Sequence, residues 1–179
     1  MWRADVLAWF AVAAYALHIM EERILDWHSS MKKSLKLSMD VDHYRIIARV
    51  FFVLGVIAAV LIGTFPVAAR AFAVFLLINA LVFHIWPMIR SQQFSPGSWT
   101  AIFLFLPIVV MTYMVANLPP AEWIVPAVIG LAIGVVIPFV LPGPRLLTIA
   151  IGSCCFIAIL VVGSRLLRRM LIGRPPPGS

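Results

Sequence analysis

Charge is scarce in this 179-residue chain: Asp, Glu, Lys and Arg make up 12% of it, seven acidic residues against fourteen basic. With 63% hydrophobic residues and a mean hydropathy of +1.05, there is too little polar surface for a water-soluble globule. Cysteine is limited to two adjacent residues, Cys154 and Cys155. Adjacency suits neither a stable disulfide nor a zinc-ligand set, so they read as small packing residues. Short alternating segments are missing as well, which excludes a transmembrane barrel. No soluble basic domain exists to use the net charge of +7 on nucleic acid. The basic residues lie at the ends of apolar segments, where they anchor to lipid headgroups.

What is present is a succession of apolar runs of about 18–21 residues, each long enough to cross roughly 30 Å of hydrocarbon as a helix. They predict spans over residues 3–27, 44–64, 67–89, 98–116, 123–141 and 146–167. The fold class is an all-α, polytopic transmembrane helical bundle of about six helices, with five as the alternative count. Short connections carrying Pro and Gly separate them, as at Ser95-Pro96-Gly97, Pro119-Pro120 and Pro142-Gly143-Pro144. Polar residues concentrate in the first part, which divides the chain into a four-helix module, 1–116, and two further helices with a short disordered Pro-rich tail, 117–179. The first segment ends in His and paired Glu rather than in a small-residue cleavage site, and reads as a retained helix. Lys32, Lys33 and Lys36 alternate with Met31, Leu35, Leu37 and Met39 in a stretch suited to the membrane interface or to an ordinary positive loop. Gly130 and Gly134 have the spacing that lets helices approach closely, within one chain or in a homo-oligomer.

One cluster stands out against this background. His18, Glu21 and Glu22 fall on consecutive turns at the end of the first apolar segment. Ionisable groups at membrane depth cost about 2.5–3.5 kcal/mol each, so they usually face a bundle interior and serve a site. At about 100° per residue, Glu21 and Glu22 lie roughly 60° and 40° to either side of His18, so all three can share one space, and Tyr15 joins their face. His84, six residues before Arg90 on the third segment, is the natural partner. The first and third segments run parallel if the second spans once, which brings His18 and His84 to matching depth. Asn79 lies deeper on the third segment, where its amide can hydrogen-bond a carboxylate or substrate. Asp40, Asp42, His43, Arg45 and Arg49 open the second segment at the same face, and Thr100 opens the fourth. Asp40 and Asp42 read as helix caps, and His28 and His43 as solvated or interfacial groups.

These residues carry a resemblance. His18-Ile19-Met20-Glu21-Glu22 resembles the motif of the HXXEE family of small bacterial integral membrane proteins. Asn79, His84, Phe94-Ser95-Pro96-Gly97-Ser98-Trp99-Thr100 and Pro107 are similar to the family's later histidine, Tyr-x-Pro-Gly, threonine and proline. The match runs over about residues 10–110. Phe94 replaces the usual tyrosine, and Pro87 stands where a glutamine often follows the histidine, which should kink the third helix below His84. The resemblance implies a multi-pass protein of the bacterial inner membrane and supports the site residues rather than a reaction.

Three readings of the cluster follow. In the first, His18, Glu21, Glu22 and His84 hold a divalent metal (zinc, iron or manganese) that activates water against a lipid-like or apolar substrate. In the second, Glu21, Glu22, His18, His84 and Asn79 perform metal-free acid/base chemistry, an isomerisation or cyclisation. In the third, the same groups form a buried knot with Arg23, Arg49 or Arg90 in a membrane scaffold or accessory subunit.

Overall fold

The computed structural model describes residues 3–34 and 41–136, apart from the side chains of residues 31–34, 43 and 136. Among the described residues the chain is helical with no strand, in six helices. The first, α1, covers Ala4–Ile24, with Asp5 in its first turn and Arg23 in its last, each complementing the helix dipole. It stops short of the predicted residue 27 because Asp26 adopts φ 50° and its carboxylate accepts from the Ser29 N–H, starting a short helix α2, Trp27–Ser34. The third helix, α3, covers Val41–Val60, and a 3₁₀ turn, Leu61–Gly63, closes it. Pro66 then opens α4, where its missing N–H leaves no helical bond unmade. That helix continues to Ser91, α5 covers Ser98–Ala116, and α6 is an apolar helix over Pro120–Val135.

Helices α1, α3, α4 and α5 are each long and apolar enough to cross a membrane, which makes an integral membrane protein of this chain. The predicted span at 146–167, Cys154–Cys155, the tail and Lys36 lie outside the described residues, as do the side chains of Lys32 and Lys33. Helix α4 is the central element: Ala68, Ala71, Leu76 and Ala80 on it have no exposed surface, and α1, α3, α5 and α6 pack around it. Gly130 of α6 rests on α4 so closely that a β-carbon would fall 2.7 Å from Val74 and 2.8 Å from the Ala71 carbonyl oxygen. The paired glycines therefore pack α6 within the chain.

Prolines shape the spans without ending them. In α4 the segment Asn79–Ile85 winds as a π-helix just before Trp86-Pro87, and in α5 Ala101–Phe105 does so just before Leu106-Pro107. A proline lacks the N–H for the carbonyl four residues back and its ring collides with that carbonyl; the wider π turn hands upstream carbonyls to donors five residues on. The N–H of Trp86 accordingly reaches the Leu81 carbonyl, and that of Leu106 the Ala101 carbonyl. A third π segment, Ala132–Val136, begins in α6 and precedes Pro138 at the same spacing in the sequence. Pro87 thus produces a π turn around His84.

Candidate metal centre

Four helix ends meet at one end of the bundle: the C-terminal turns of α1 and α4 and the N-terminal turns of α3 and α5. His18 and Glu22, four residues apart, share one face of α1 and are buried, at 0% and 6% exposure. His84, also at 0%, enters from the π segment of α4, with its ring centroid 4.6 Å from that of His18 in an edge-to-face arrangement. The predicted pairing of the two histidines at one depth is thus observed.

The turn between α4 and α5 closes over both rings. Gly97 has φ 88°, a left-handed conformation, and a β-carbon on it would lie 2.5 Å from His84 Cε1 and 2.8 Å from His18 Cε1. Only glycine fits, on both conformational and steric grounds. Gln92, at φ 52°, ends α4 ahead of this turn.

Hydrogen bonds place a hydrogen on Nδ1 of each ring. His84 Nδ1 lies 2.8 Å from the Pro96 carbonyl oxygen, which can only accept, so Nδ1 carries a hydrogen, and in the neutral ring Nε2 holds a lone pair. His18 Nδ1 lies 2.7 Å from Thr100 Oγ1. That hydroxyl has one hydrogen, directed to a Glu21 carboxylate oxygen at 2.7 Å or to the Gly97 carbonyl at 3.1 Å, and so accepts from His18. Both Nε2 atoms face the same carboxylate oxygen, Glu22 Oε1, at 3.4 Å each. Neither Nε2 has a hydrogen-bond partner. The other oxygen of Glu22 accepts from the Tyr44 hydroxyl at 2.5 Å.

With both rings neutral and Glu22 ionised, three electron-pair donors converge and repel one another unless a cation sits among them, whereas a protonated ring makes an ion pair with Glu22. His18, Glu22 and His84 each offer a ligand atom, all within 4.8 Å of one another. Two ligands at about 2.0–2.1 Å from a tetrahedral ion are separated by about 3.4 Å, the spacing found here from each imidazole to the carboxylate. The group could hold a metal ion, with Thr100, Pro96 and Tyr44 behind the ligands in the orienting positions that metal-ligating histidines and carboxylates require.

Glu21 has a different place from the one its angle suggested. Its carboxylate turns away from the three ligands to the start of α5, where it accepts from the N–H groups of Gly97, Trp99 and Thr100 and from the Thr100 hydroxyl at 2.7–3.2 Å. Bare N–H groups and the positive end of the helix dipole make that a stronger attraction for an anion than a second place beside Glu22. Asn79, at the start of the π segment, is half-buried, its Oδ1 has no partner, and it bonds to none of the three ligands. His28 lies outside the group of three, and Asp42 pairs with Arg45 at 3.4 Å. Asp40 and the His43 side chain are outside the described residues. Arg23, Arg49 and Arg90 are exposed and form no ion pair with either glutamate, so the knot expected of them is not present.

Aromatic rings enclose the centre. Tyr15 stacks on His18 with centroids 6.0 Å apart, Phe105 lies 4.6 Å from it, and Trp27 stacks on Tyr44 at 4.9 Å while approaching His84. Sequence reasoning had Tyr15 on the right face but missed Tyr44 and Trp27. The available signal was a hydroxyl at the first turn of an apolar helix beside the converging ends.

No curated protein and no solved structure matches the chain. A family described as "Protein of unknown function with HXXEE motif" matches residues 9–112, more than half of it. The geometry accounts for that motif: its histidine and last glutamate converge with His84, while its first glutamate holds the start of α5. The chain, with this motif at His18–Glu22, belongs to the HXXEE family.

Proposed function

We propose that this protein is a membrane-embedded metal-dependent enzyme acting on a lipid-like or apolar substrate, with His18, Glu22 and His84 as the ligands. The observation that carries this reading is the convergence of His18 Nε2 and His84 Nε2 on Glu22 Oε1, each at 3.4 Å and neither with a hydrogen-bond partner. Two histidines and one carboxylate suit zinc, iron or manganese, and three protein ligands leave a position for water or substrate. A metal bound there would supply a Lewis acid and a hydroxide near neutral pH. The chain's own groups hold the rest: Tyr44 restrains one oxygen of Glu22, Thr100 and the Pro96 carbonyl keep the imidazoles aimed, and the rings of Phe105, Tyr15 and Trp27 exclude water. An apolar substrate follows from a site wrapped in aromatic residues at the end of membrane-length helices. Residues 1–116 form the functional module in this reading, and helical spans favour the inner membrane of a bacterium.

Metal analysis of the purified full chain is the test. About one equivalent of metal is expected, lost in His18→Ala, His84→Ala and Glu22→Gln and kept in Glu21→Gln, which should only lower the melting temperature. Folded protein that takes up no zinc, iron or manganese would remove the metal reading. The short Tyr44–Glu22 hydrogen bond would then favour proton-transfer chemistry by that pair, and an unchanged turnover in Tyr44→Phe would exclude it.

A further inference from the structure

At the opposite end of the bundle lies a second feature, independent of the His/Glu centre. A crevice opens between the start of α1, the end of α3, the start of α4 and the end of α5. Alanines make the space: Ala8 and Ala11 on α1 and Ala69 on α4 present methyl groups where larger side chains would meet, with Ile62 and Thr112 opposite. One cation, Arg70, lines it, half-buried and four residues inside the start of α4, about 6 Å along the helix. Among the described residues no carboxylate lies within 4.0 Å of its guanidinium; Glu122 acts on it from farther away.

A guanidinium at that depth without an ion-pair partner is costly, and an anion that arrives with its own apolar chain satisfies both halves of the crevice. We propose that this crevice binds one anionic phospholipid of the surrounding bilayer, with its phosphate on Arg70 and one acyl chain between α1, α4 and α5. Arg offers a planar pair of donors to a phosphate, and the Thr112 hydroxyl adds one more. At this depth the bilayer's own lipids are the most concentrated molecules having both an anionic and an apolar part.

Native mass spectrometry of the full chain, exchanged into micelles with equal phosphatidylglycerol and phosphatidylcholine, reads this directly. One phosphatidylglycerol per chain should be retained in preference to phosphatidylcholine. Arg70→Gln should lower that retention by about fivefold or more and Arg70→Lys should restore most of it. Ala69→Leu, which fills the crevice and leaves the charge in place, should also lose the lipid while melting normally in lipid-free detergent. Equal retention of both lipids, or retention unchanged in Arg70→Gln, would overturn the proposal. So would equal stabilisation by inorganic phosphate, which would mark a bare anion site, or a chain that keeps no lipid because another segment or a second copy fills the crevice.

Discussion

At the scale of single residues, the centre depends on groups that never touch the three ligands' meeting point. Gly97 is the least replaceable. Gly97→Ala places a methyl group against both imidazoles in a backbone conformation that costs a non-glycine residue about 1–3 kcal/mol, so a lower melting temperature and loss of metal should occur together. Tyr44→Phe leaves the three ligands and removes the donor to Glu22. Metal affinity should fall by about 10- to 100-fold with the fold intact, as a competition titration with a chelator would measure. His18, Glu22 and His84 were legible in the sequence because ionisable residues in apolar helices are so few. The separation of Glu21 from Glu22 was not: angular positions on α1 place both near His18, and only the bare N–H groups of α5, brought in from nearly eighty residues away, draw one of them off.

At the scale of elements, the winding of α4 matters more than its length. The sequence marks Pro87 as a kink, and its spans over 67–89 and 98–116 are close to the observed helices. What cannot be read from composition is the π turn by which the helix accommodates the proline, because that depends on which carbonyls find other donors. One residue of winding turns a side chain by about 100°, enough to carry His84 out of reach of Glu22. Pro87→Ala restores the missing N–H and permits regular α winding. The expected result is protein of undiminished helicity by circular dichroism and reduced metal content. Retained metal would show that other contacts of α4 hold the π turn. The break after α1 was equally hidden, since Asp26 looks like any polar residue at a helix end until its left-handed backbone is seen.

At the scale of the whole molecule, the four membrane-length helices put the two polar features at opposite ends of the bundle. The division is testable by cysteine labelling in a background lacking Cys154 and Cys155. Ser29→Cys and Gln93→Cys should react with an impermeant reagent from one side of the membrane, and Thr64→Cys and Ala121→Cys from the other. All four reacting from one side would contradict the crossing arrangement. The membrane character of the chain was legible from hydropathy alone, whereas the close seating of α6 on α4 needed the structure, since the spacing of Gly130 and Gly134 serves equally between chains and within one.

The turn that follows α4 also has a consequence for synthesis. Every ligand atom of the centre has been made once residue 84 is in the chain, but the groups that decide which nitrogen of each ring bears the hydrogen, the Pro96 carbonyl and the Thr100 hydroxyl, emerge afterwards. A nascent chain paused between them has all three converging side chains and has no means of aiming them. If the centre takes up a metal as proposed, loading would await insertion of α5.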